Sequence, residues 1–246
     1  MPMSERAMKV IQPNCRVQFT AEDVDFILSV LAEKTGQAEY VTRLLADEET
    51  RDIVLDDEAL FRAVLERRGC LSISSHFYFY VLVRRVLLQT GITDRAVADY
   101  VAELLAEFSR TERMRCVAHP AAHPLEYFFE MLAALQTADD RSRFLIRAHI
   151  GNHSLFLSGV FPEHIRCRSE RRGFPDLSYY EELGRSNFRA ARDHRLARRY
   201  HLADVFDTLS ERFQSARRAL NDLGDRLVSL SDLDCSKALV KLERPS

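Results

Sequence analysis

Between Leu202 and Leu230 the apolar positions advance by four and three in turn: Leu202, Phe206, Leu209, Phe213, Ala216, Leu220, Leu223, Leu227 and Leu230. An α-helix carries residues at that spacing on one seam. The pattern predicts a long heptad-striped helix near the end of the chain, packed within a bundle or across a dimer interface. The stripe by itself does not choose between these, because a single domain can take the whole of it into its own core.

Upstream, helix signals follow one another with short breaks. Thr20 with Asp23 reads as a capping box, and Phe19 with Val24 as a hydrophobic staple. Val24, Ile27, Leu28 and Leu31 form the expected buried face, and Gly36 ends the helix. Further helices are predicted at about 39–46 and 57–68. The run from Ser72–Ser75 to Thr90 contains FYFYVLV, which has the composition of a strand. It is read as a buried helix, since a lone strand between helices has no pairing partner. Val97, Tyr100, Val101, Leu104, Leu105 and Phe108 give an amphipathic helix behind Thr93 or Asp94. Residues 110–122 read as a loop. His123 and Pro124 then open a helix to Leu135, and Asp139 or Asp140 opens a long one to about Val160. Pro162 begins a short helix that ends before Gly173. Ser178 with Glu181 reads as a second capping box, opening a helix to about His194.

No strand pattern, no GxGxxG and no GxxxxGK[ST] occurs, which removes Rossmann and P-loop folds. The predicted class is all-α: an irregular multi-helix bundle of eight to ten helices ending in the striped helix. Residues 1–246 are read as one domain, with 110–122 as the place where a subdivision would fall and 236–246 as a ragged tail.

Composition sharpens this only in part. The longest unbroken apolar run, Phe77 to Val83, is far shorter than the roughly 20 residues that span a bilayer. With no apolar signal core at the start, a cytoplasmic protein is expected, with no membrane partner. Cys15, Cys70, Cys116, Cys167 and Cys235 are odd in number and form no CxxC, as expected of reduced thiols. The net charge of −2 hides an asymmetry. Residues 20–66 hold 13 acids against 4 bases, whereas 163–199 hold 10 arginines against 6 acids. Solvated helix faces account for this, or an arginine-rich segment meets an anion, a nucleic acid or an acidic partner face.

Chemistry is most plausible in residues 147–168. Gly151 and Gly159 lie inside a predicted helix, where each costs about 1 kcal/mol relative to Ala. Asn152, Ser154 and Ser158 accompany them, and Tyr180 lies beyond the next turn. These six are either the wall of a ligand pocket or a tight helix–helix contact. His149 and His153 at i, i+4, and His164 and Cys167 at i, i+3, supply two pairs that a tetrahedral zinc site could use. Histidines bonded at helix interfaces are the competing reading, so no cofactor is predicted and zinc is kept as the alternative. Tyr179 and Glu182 are the only candidates for acid–base chemistry, and no nucleophile–base pair can be named. Arg185, Arg189, Arg192 and Arg199 follow helical spacing and are candidate anion contacts, but no helix-turn-helix or aromatic platform supports nucleic acid as a partner.

Gly151, Leu155, Phe156, Gly159 and Phe161, followed by Tyr179, Tyr180 and Gly184, resemble a pattern found in a group of bacterial all-helical proteins without assigned activity. The resemblance implies an all-helical fold and no particular chemistry. The expectation is therefore a non-enzymatic cytoplasmic helical protein that acts by binding another protein or a second copy of itself. The alternatives are a small-ligand or metal-dependent enzyme with a pocket between the 147–167 helix and the 179–184 turn, or an arginine-mediated nucleic-acid binder.

Overall fold

The hydroxyl of Thr20 accepts a hydrogen bond from the Asp23 N–H, and the Asp23 carboxylate accepts one from the Thr20 N–H at 2.8 Å. This is the expected capping box. Asp23 does more than close it: the same carboxylate accepts from Ser74 N at 2.7 Å and Ser74 Oγ at 2.6 Å. Ser74 is itself the N-cap of a later helix. One buried carboxylate therefore joins the starts of two helices. This rotates the first helix so that Asp23, Phe26, Ile27, Val30 and Leu31 face the core, while Val24 is exposed. The expected staple is thus not made by Val24; Phe19 instead packs edge-on against Phe77 and Tyr80.

The structure is a computed structural model and describes residues 10–66, 73–118, 124–172 and 175–229. A 3-10 turn at Arg16–Gln18 precedes α1 (Ala21–Thr35), α2 (Ala38–Ala46), α3 (Glu48–Leu55), α4 (Glu58–Glu66), α5 (Ser75–Gln89), α6 (Arg95–Ala118) and α7 (Pro124–Thr137). There follow α8 (Asp140–Val160), α9 (Pro162–Arg172), α10 (Leu177–Arg192), α11 (Arg195–Arg199), α12 (Ala203–Glu211) and α13 (Phe213–Ser229). The described residues are all-helical, with no strand, and the helices outnumber the eight to ten expected.

Several differences from the sequence reading have local causes. Helix α3 was not foreseen; Asp47 caps it, with its carboxylate accepting from Thr50 N at 3.0 Å. The 110–122 loop is instead helical as far as Ala118, because RTERMRCVA has no glycine or proline and is rich in good helix formers. The remainder of that loop, His123, and the 236–246 tail lie outside the described residues. Helix α10 is capped by Asp176, which accepts from Tyr179 N, rather than by a box of Ser178 and Glu181. Ser178 donates to that same carboxylate, and Glu181 is drawn away by Arg217. The FYFYVLV segment is helical, as read, and almost wholly buried within α5.

The heptad stripe is divided. Helix α12 ends and α13 begins on either side of Arg212, whose backbone leaves helical values at φ −110°, ψ 24°. Neither glycine nor proline stands there. The Arg212 guanidinium donates to Thr90 O at 2.8 Å and Gly91 O at 3.3 Å, supplying partners to carbonyls at the end of α5. Leu202, Phe206, Leu209, Phe213, Ala216, Leu220 and Leu223 are all buried in the chain's own main core. That core contains residues from Ile11 to Leu223. A satellite core forms where α7 meets α8, around Phe128, Met131, Ile146, Ile150, Ile165 and Tyr180.

Candidate functional site

Helix α8 was the expected pocket wall, and its small residues are filled by neighbours. A Cβ on Gly151 would lie 2.8 Å from the ring of Phe188, and one on Gly159 would lie 2.9 Å from Leu220. Both glycines therefore serve close helix packing against α10 and α13. Asn152 accepts a 2.7 Å hydrogen bond from the Tyr100 hydroxyl. Ser158 donates to Ser154 O at 2.6 Å, and Ser154 faces Gly184. Tyr180 is buried edge-on against Phe128. The six pocket candidates thus lie buried among neighbouring helices, as the helix–helix contact reading of them describes.

The four metal candidates do not converge. His153 is buried among Phe108 and Phe128, and His149 stacks on it with ring centroids 6.0 Å apart. His164 and Cys167 point to solvent, because α9 turns Ile165, Arg168 and Ser169 inward instead. Among the described residues no three His, Cys, Asp or Glu side chains group closely enough to hold a metal ion. Tyr179 and Glu182 are exposed, Tyr179 lies edge-on to Tyr180, and Glu182 lies 3.8 Å from Arg185.

The arginine ridge is partly committed to this chain. Arg185 reaches Ser210 O, and Arg192 pairs with Asp193 and Asp207. Arg195 and His194 both hold Asp140 at the start of α8. Arg189, Arg198 and Arg199 are exposed. Arg185, Arg192 and Arg195 therefore bond neighbours in the C-terminal half.

The densest constellation of charge lies elsewhere, beneath the N-terminal segment. Six side chains alternate in sign along a chain of ion pairs: Asp99, Arg16, Asp52, Arg95, Asp56 and Arg84. Arg16 Nε donates to Asp99 Oδ2 at 2.9 Å, and its Nη1 pairs closely with Asp52. Arg95 bridges Asp52 at 3.2 Å and Asp56 at 2.7 Å. Arg84 grips Asp56 with two bonds and donates to Thr93 O. Beside this chain, Gln18 donates to Glu103 at 2.7 Å, and His76 lies 3.4 Å from the same carboxylate.

Burial sets the electrostatics. Desolvation raises the pKa of Asp99 above the usual carboxylate range, although Arg16 pulls the other way. Burial also opposes ionised Asp56, but hydrogen bonds from Arg84 and Arg95 outweigh it and keep that pKa low. The Tyr80 phenol, whose ring lies 5.6 Å from the Arg16 guanidinium carbon, is pushed up to about 12 by burial. The buried Cys15 thiol is raised by desolvation and by Glu103, and it donates to His76 O. With the carboxylates matched by guanidinium groups and the thiol suppressed, the arrangement binds cation to anion rather than activating a nucleophile.

Sequence reasoning missed this cluster because its members are far apart: Arg16 and Asp99 are separated by 83 positions. The one local signal is the acidic excess of residues 20–66, of which Asp52 and Asp56 enter this cluster. Comparisons with protein-family models, with curated proteins and with solved structures found no match to this chain.

Proposed function

We propose that this protein is a non-catalytic, cytoplasmic protein-binding module, and that its binding face is the acidic N-terminal layer of the 3-10 turn and α1–α3. The observation that supports this most directly is what remains exposed after the internal pairs are made. Glu22, Asp25, Glu33, Glu39, Glu48 and Glu49 all face solvent. Among them stand exposed apolar side chains: Val17 is 85% exposed, Ile53 69% and Tyr40 52%. Val17 and Ile53 each adjoin one member of the Arg16–Asp52 ion pair. Exposed apolar side chains on the same elements as exposed acidic ones suit a basic protein surface, since charge steers the encounter and apolar burial holds it.

The chain itself offers such a surface. Arg166, Arg171, Arg189, Arg195, Arg198 and Arg199 are exposed on α9–α11. Head-to-tail contact with a second copy is thus the first partner to test. The buried heptad seam lends no support to a coiled-coil dimer, and no helix among the described residues is long and apolar enough to cross a membrane.

Light scattering after size exclusion tests the reading at low and high salt. Association that weakens as salt rises, and that is lost when Glu48 and Glu49 are both replaced by Lys, is expected. A monomer at micromolar concentration in low salt would remove the second copy as the partner. An unchanged mass for the double Lys variant would remove the acidic layer as the binding face.

A further inference from the structure

Arg16 occupies a slot built by other elements. Asp99 of α6 accepts from both its backbone N–H, at 3.0 Å, and its Nε. Asp52 of α3 takes Nη1, and the Tyr80 ring of α5 lies beneath the guanidinium plane. Two carboxylates around a guanidinium above an aromatic ring form the arrangement that selects arginine over lysine. Asp52 and the helices that carry Tyr80 and Asp99 have contacts of their own besides Arg16. Arg95 holds Asp52 from the far side, Asp56 locks Arg95 to Arg84, and α5 packs along α6.

The segment that delivers Arg16 is a strap. Its own backbone bonds are local turns, such as Asn14 N to Gln12 O and Val17 N to Asn14 O. It meets the body through the Arg16 N–H on Asp99 and through side chains: Ile11 and Cys15 are buried, Gln18 reaches Glu103, and Phe19 lies on Phe77. Release of this segment would undo the 3-10 turn at Arg16–Gln18 and none of the helices α1–α13.

We propose that the Asp99–Asp52–Tyr80 slot is a recognition site for an arginine side chain of another protein, and that Arg16 on the 10–19 strap fills it in cis. The strap is then a self-ligand, displaced when a partner presents an arginine to the acidic layer. This deepens the function proposed above and rests on it, naming the chemical group that the layer recognises.

The test uses the full chain with Arg16→Ala and a fluorescent peptide of residues 10–19 as the arginine donor. Saturable binding is expected, weaker by about tenfold or more for the unaltered chain, where the tethered strap competes at a high effective concentration. Adding Asp99→Asn to the Arg16→Ala chain should abolish it. A folded Arg16→Ala chain that ignores the peptide overturns the proposal, as does equal binding of a peptide carrying Ala for its arginine. Should Arg16→Ala not fold, Arg16→Lys keeps the charge but loses the two-pronged fork. Peptide must then bind that variant more tightly than the unaltered chain, and equal affinity overturns the slot. Failure here, with salt-sensitive association still lost in the double Lys variant, leaves the acidic layer as the binding face and removes only the slot.

Discussion

Gly184 lies so close to Phe213 that a Cβ built on it would stand 2.2 Å from Cε2 and 2.4 Å from Cζ of the ring. The same Cβ would meet Ser154 Cβ at 3.1 Å. Helices α8, α10 and α13 are therefore in contact at a point where only a hydrogen atom fits.

Replacing Gly184 by Ala tests that contact. Ala gains about 1 kcal/mol of helix propensity, whereas overpacking a rigid ring costs about 1–3 kcal/mol. At this separation the clash wins, and a net loss of about 1–2 kcal/mol is expected in urea unfolding. Phe213→Leu in the same chain should return part of the loss. Unchanged stability of Gly184→Ala alone would show that the helices are not so closely packed.

Gly224 provides the opposite case. It lies inside α13, and the nearest atom to an added Cβ is Val160 O at 3.9 Å, an ordinary contact. With no clash, Gly224→Ala should stabilise by about 0.4–1 kcal/mol, chiefly by restricting the unfolded chain. A lowered thermal midpoint would contradict the geometry.

The Tyr100–Asn152 bond crosses from α6 to α8 in full burial. Tyr100→Phe leaves the Asn152 carbonyl oxygen without its donor, at a cost of about 1–3 kcal/mol. Changing both residues, Tyr100→Phe with Asn152→Leu, removes the orphaned acceptor along with the donor. Denaturant titration should show the double variant less destabilised than the sum of the two single changes; strict additivity would mean that the bond is not made.

Two carboxylates of the ion chain, Asp56 and Asp99, carry opposite signs of pH dependence. Asp56 has a lowered folded pKa, so its contribution is complete above the ordinary carboxylate value, about 3.9, and is lost as pH falls through the folded value. Asp99 has a raised folded pKa, so the native state takes up its proton first and gains relative stability as pH falls toward the ordinary value. Urea midpoints measured from pH 6 to pH 3 should fall with acid, and Asp56→Asn should flatten that fall. The capping carboxylates Asp47, Asp139 and Asp176, whose pKa values are also lowered by hydrogen bonds, should leave a residual slope. An undiminished slope in Asp56→Asn would mean that Arg84 and Arg95 do not stabilise this carboxylate.

The sequence by itself determined the class and most of the punctuation. Thr20 with Asp23, Asp139 before α8, Pro162 at the start of α9 and the period of 95–108 are local signals, legible because a helix is closed by bonds between near neighbours. It also found the stripe from Leu202 and the tight glycines of α8. Only the tertiary structure decided what these face. As far as Leu223 the stripe turns into the chain's own core, and it is divided at Arg212, whose guanidinium bonds carbonyls 121 and 122 positions away. The glycines receive Phe188 and Leu220, so the small-residue row is a contact between helices. Arg16, Asp52 and Asp99 carry no local signal of one another, and only folding brings α3, α5 and α6 beneath the strap. Helical spacing reports which residues share a face, but the partner of that face lies tens of residues away and is chosen by packing.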